Sequence, residues 1–176
     1  GVPNTAFTEA LAFVFQKRDL EILGITDPNP EKKAMDVLDK IWSMYEICGV
    51  SMLDISVWKW MYAHPDATAG QLKEATIALS KEIWNKYYAP VFGVKDETVL
   101  AVYSHMISYP LYLSAYAFGQ IIEFQLDQYL EGKNFANEVE RIFRQGRLTP
   151  NQWMILATGS PLTVEPMLEA VRQVIK

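Results

Sequence analysis

This chain is poor in the side chains that perform redox and metal chemistry: of its 176 residues, one is cysteine and two are histidine. A single cysteine excludes an intrachain disulfide framework. Cys48 lies beside Met44 and Tyr45 on the apolar side of a helical pattern and reads as a small buried hydrophobe, not a nucleophile. With only His64 and His105 present, no histidine pair at i, i+4 exists, and H-E-x-x-H is absent. There is no Gly-rich phosphate loop, internal repeat or low-complexity tract. Basic residues number 16 against 21 acids, a balance of −5, and they are scattered, so no nucleic-acid partner is expected. No apolar run approaches the length of a membrane span and no signal-type segment is present. No membrane partner is expected, and the default location is cytoplasmic.

What the chain does have is apolar residues, 50% of the total, enough for a sizeable core in a single domain spanning residues 1–176. Their spacing follows the helical period throughout, and no long segment alternates with period two. The expectation is an all-α domain of about seven helices.

The first helix is expected from about Asn4 to Leu23, with Phe7, Leu11, Val14, Phe15 and Ile22 inward and Gly24 as its stop. Ile25 to Pro30 reads as a linker. A second run places Ala34, Leu38, Ile41, Trp42, Tyr45 and Cys48 on one stripe, and Gly49 offers a bend before the aromatic segment ending at Tyr62. This reads as one long bent helix. Trp58, Trp60, Met61 and Tyr62 read as core. His64, ahead of Pro65, reads as a solvated turn residue without function.

Ala69 to Tyr88 reads as a helix with Leu72, Ala75, Leu79, Ile83 and Tyr87 on its inner stripe, ended by Pro90. Asp96 is a candidate N-cap for a helix through Val99, Val102, Tyr103 and Met106, which continues through a kink at Pro110 into a long apolar helix ending near Glu131-Gly132. A short helix from Phe135 to Gln145 follows. Thr149-Pro150 opens another that Gly159 to Pro161 ends, and Thr163 caps the last, with Met167, Val171 and Val174 inward.

Within this pattern His105, Tyr112 and Tyr116 recur at i, i+7 and i+11, which on a continuous helix puts three polar tips on one face. On spacing alone, tyrosines so placed are more often core residues with satisfied hydroxyls than functional groups. The stretch from His105 to Gln120 resembles the C-terminal active-site segment of the oligoendopeptidase F branch of the thimet-type zinc oligopeptidases, in which a histidine precedes a Pro-Phe-Tyr-type helix. Leu111 stands where that family usually has phenylalanine. Residues Phe7 to Gln16 resemble the family's helix with an Ala-Glu-Val-Ala-Ser core, whose glutamate is the third zinc ligand; Glu9 is the matching residue. Gln16 stands where the family usually has a second acid. The runs Leu148 to Met154 and Ala157 to Thr163 resemble the family's closing segment.

The resemblance implies a zinc-dependent oligopeptidase that hydrolyses short peptides. His105, Tyr112 and Tyr116 would contact substrate and donate hydrogen bonds to the oxyanion formed when zinc-bound water attacks the peptide carbonyl, and Glu9 would be a zinc ligand. The other two ligands and the general base belong to an H-E-x-x-H helix that these residues do not include. The chain is therefore expected to be the C-terminal part of a larger metallopeptidase, inactive alone, its partners a short peptide substrate and the missing N-terminal part of the same enzyme. The competing reading is a non-catalytic helical peptide- or protein-binding module.

Overall fold

The computed structural model describes residues 1–25 and 29–175, and the centre of the expected linker, residues 26–28, lies outside them. Among the described residues the structure is all-helical, with no strand. The helices are α1 (Thr5–Ile22), α2 (Pro30–Ala63), α3 (Ala69–Tyr87), α4 (Ala89–Phe92), α5 (His105–Ser108), α6 (Leu113–Leu130), α7 (Phe135–Phe143), α8 (Pro150–Thr158) and α9 (Glu165–Val174). A single 3-10 turn covers Val99–Val102. The all-α expectation holds. The excess over about seven helices comes from α4 and α5, each a single turn. By its packing the chain divides into two compact units, Gly1–Met44 with Ala115–Lys176, and Tyr45–Ser114.

In the first unit, α1 starts where the Asn4 side chain accepts the Ala6 N–H at 3.0 Å. It buries Phe7, Ala10, Leu11 and Val14 against Ile122, Leu126 and Leu130 of α6, Ile142 of α7, and Trp153, Met154 and Ala157 of α8. Phe7 meets Trp153 edge-on at 5.0 Å. Ile22, expected inward, is exposed. It lies in the last turn of α1, beyond the core made with α6.

Two contacts set the direction of α6 against α1. Gly119 meets the helix at Glu9, and eight residues further along each helix Lys17 bridges Asp127 at 2.5 Å, so the two run parallel. A side chain at Gly119 would collide. A Cβ there would lie 2.9 Å from the Glu9 Cβ and 3.2 Å from the Ala6 carbonyl oxygen and the Ala10 nitrogen.

Two polar devices stiffen this unit. Gln125, buried on α6, donates to Ser160 Oγ and the Pro161 carbonyl, both at 2.9 Å, and accepts the Thr163 N–H at 3.1 Å. It thereby pins the segment leading into α9. Arg141 on α7 donates to the Leu156 and Ala157 carbonyls at 2.8 and 2.7 Å, satisfying groups at the C-terminal end of α8. As expected, Thr149-Pro150 opens α8. The Thr163 hydroxyl accepts the Glu165 N–H at the start of α9.

In the second unit, the part of α2 from Tyr45 onward buries Ile47, Val50, Leu53 and Asp54. The helix is continuous across Gly49, because that glycine serves close packing and not a bend: the ring of Tyr88 occupies the place a Cβ would take. Of the expected inner stripe of α2, Ala34, Ile41, Tyr45 and Cys48 are partly buried, whereas Leu38 and Trp42 are exposed and the neighbouring Val37 and Met44 are partly buried instead. Where apolar residues occupy adjacent positions, composition alone leaves the helix free to rotate by a residue.

The aromatic end of α2 is only partly core. Trp58, Trp60 and Met61 are half-buried and Tyr62 is 75% exposed. His64 is exposed, as expected, and its ring stacks on Trp60 at 4.3 Å.

Helix α3 begins with the Thr68 hydroxyl and the Gln71 side chain satisfying one another's backbone N–H groups. It buries Ser80, Ile83 and Trp84, whereas Tyr87 is exposed. The Trp84 indole donates to the Val94 carbonyl at 2.8 Å and stacks between Tyr88 and Phe92.

Asp96 does not cap a helix. It adopts φ 62°, and its carboxylate and N–H pair reciprocally with the Asn85 side-chain amide at 2.9 and 2.8 Å. Aspartate tolerates the left-handed region when its side chain is locally bonded.

Candidate functional site

The expected helix from Asp96 through Pro110 does not form, and with it goes the single face shared by His105, Tyr112 and Tyr116. His105 opens the one-turn α5, Tyr112 precedes α6, and Tyr116 lies inside α6. The cause is local. Tyr109 precedes proline and sits at φ −142°, outside the helical region. Pro110 lacks the N–H that would continue the ladder, and Leu111 takes φ 63°.

A turn replaces the kink. The Tyr112 N–H returns to the Tyr109 carbonyl at 3.1 Å, closing a four-residue turn with proline at its second position and a left-handed residue at its third. That is the type II pattern, whose third position favours glycine; here it holds leucine. The Leu111 N–H donates to Asp54 Oδ2 at 2.7 Å. Asp54 comes from α2 and is 1% exposed. Burial pushes its carboxyl above the usual range, and the bond from Leu111 opposes that shift.

The turn lines up rings in sequence. Tyr103 lies 5.5 Å from His105, His105 lies 5.8 Å from Tyr109, and Tyr109 lies 6.2 Å from Tyr112, measured between ring centroids. His105 and Tyr112 are thus brought into one aromatic chain through Tyr109. The seven-residue spacing that suggested their proximity rested on a helix that is not there. Tyr109 and Asp54 were not legible as members of this group. The only signal for the turn was Pro110, and nothing in the sequence ties position 54 to position 111.

Glu9 and Tyr116 belong to the first unit. Glu9, partly buried, stands on α1 where Gly119 lets α6 come close, and Tyr116, also partly buried, lies one turn before Gly119 on α6. Nearby on α6, Glu123 is buried and ion-paired with Lys40 of α2. Burial raises its carboxyl above the usual range while Lys40 works against that rise. Gln16 is exposed on α1.

The donor set here does not by itself make a zinc site. A catalytic zinc takes three protein ligands, and among the described residues no three His, Cys, Asp or Glu side chains are grouped to hold a metal. Among the described residues no helix is long and apolar enough to cross a membrane. No family model matches the chain, and neither a curated protein nor a solved structure matches it.

Proposed function

We propose that the chain is the C-terminal part of the catalytic domain of a zinc-dependent oligopeptidase acting on short peptides. In this reading Glu9 is one metal ligand, and His105, Tyr112 and Tyr116 are the polar groups that meet the peptide. The observation that carries it is the clustering of His105 with Tyr112 through Tyr109, on a turn held from the buried side chain of Asp54. Phenol hydroxyls donate without carrying charge at neutral pH, which suits them to an oxygen that becomes negative only as the reaction proceeds. One preorganised donor of this kind lowers a barrier by roughly 3–4 kcal/mol. The likeness of Phe7–Gln16 to a ligand-bearing helix gives Glu9 its role, and the close approach at Gly119 supplies a reason for its fixed position.

The test is the complete parent protein. Expected are an H-E-x-x-H upstream of Val2, stoichiometric zinc, and cleavage of short quenched-fluorescent peptides that Glu9→Ala abolishes together with the bound zinc. A parent that holds no zinc and cleaves no peptide overturns the reading. It would favour instead a helical binding module, for which the exposed apolar residues Val102 and Ile107 beside the aromatic chain speak.

A further inference from the structure

We propose that Asp54 is the positioning residue of this site: its buried carboxylate selects the type II form of the Tyr109–Tyr112 turn and so holds Tyr109 and Tyr112 in line with His105. Types I and II differ by a half-rotation of the central peptide, here the one joining Pro110 to Leu111. Proline at the second position accepts either form. The third position decides, and leucine there disfavours the positive φ that type II requires. Left to its local preference this turn would be type I. It is not, and the group that reverses the preference is the Leu111 N–H bound to Asp54 Oδ2 at 2.7 Å.

Flipping that peptide swings its N–H away from Asp54 and leaves a 1%-exposed carboxylate without this donor. It also re-aims the backbone on both sides of Leu111, and these carry Tyr109 and Tyr112. The aromatic chain from His105 through Tyr109 to Tyr112 therefore depends on a side chain fifty-seven residues away in sequence. Asp54 belongs to the long helix α2, so the anchor stands on a regular element.

The peptidase reading gives this arrangement its purpose, and the experiment reads ring geometry instead of hydrolysis, so the two can fail separately. Four proteins are compared by NMR with selectively labelled tyrosine and histidine: wild type, Asp54→Asn, Asp54→Ala, and Asp54→Ala combined with Leu111→Gly. Asn keeps an acceptor oxygen and should preserve the ring-to-ring nuclear Overhauser contacts of Tyr109 with His105 and Tyr112. Ala should lose them, as expected when a left-handed residue loses its support. Glycine at 111 adopts the left-handed conformation unaided, so the double variant should recover them. Recovery separates positioning from general destabilisation, because a glycine cannot refill a packing defect at position 54. The proposal is overturned if Asp54→Ala keeps the ring contacts, or if it loses them and Leu111→Gly fails to bring them back.

Discussion

Tyr88 lies across Gly49 so closely that its ring fills the space of the missing Cβ, and its hydroxyl donates to the Tyr45 carbonyl at 2.5 Å. Helices α2 and α3 are locked together at this point. Gly49→Ala is expected to cost about 3 kcal/mol, the upper range for overpacking a site with no room to relax. Tyr88→Phe, which keeps the ring and loses the hydroxyl bond, should cost about 1 kcal/mol. Urea unfolding of the two variants ranks them.

The same tyrosine makes a prediction about pH. Burial pushes the Tyr88 phenol up to about 12. The folded chain therefore keeps the proton over a range in which the unfolded chain releases it. Stability should fall as pH rises from about 10, the ordinary tyrosine value, towards 12. Tyr88→Phe should flatten that fall, and identical alkaline slopes for the two proteins would contradict the burial argument.

Gly119→Ala is expected to destabilise by about 1–3 kcal/mol, because two of the three nearest atoms to its new methyl are backbone and cannot swing aside. Since the third is the Glu9 Cβ, the amide resonance of Glu9 should shift along with the loss. Gly70→Ala, near the start of α3 where a Cβ would meet only Thr68 Oγ1 at an ordinary 3.9 Å, is the control that should leave stability unchanged or raise it.

Lys40→Met should cost about 3–5 kcal/mol at neutral pH, by leaving the Glu123 carboxylate buried without its partner. Burial already holds that carboxyl above the usual glutamate range. In the variant, a folded-state value raised further makes stability increase as pH falls towards the ordinary glutamate value, where the folded form takes up a proton first. Adding Glu123→Leu should recover most of the loss. Chemical unfolding at pH 5 and pH 8 measures both effects.

In the complete parent protein, Tyr112→Phe or Tyr116→Phe should lower kcat by about 10²–10³-fold with little change in KM, since a donor used only in the transition state adds little to ground-state binding. Wild-type kcat in both variants would return the tyrosines to packing.

The helical period and the proline and glycine punctuation were enough to place most of the fold, and Thr149-Pro150 opens α8 as read. Those are short-range effects, written in residues a turn apart. The apolar face of a helix was legible only to within a residue, as Leu38 and Trp42 show by facing water. Which of two adjacent apolar rows is buried depends on what the helix meets.

The candidate residues were named from the sequence, and their arrangement was not. Glu9, His105, Tyr112 and Tyr116 stood out by type and resemblance, but the shared helical face assumed for three of them dissolved at Pro110, where Leu111 adopts a conformation its own chemistry disfavours. Local sequence determined that a helix had to stop there. Only the tertiary structure decided how, because the deciding hydrogen bond comes from Asp54, and a conformation opposed by local preference persists only where a distant buried group supplies the free energy to hold it.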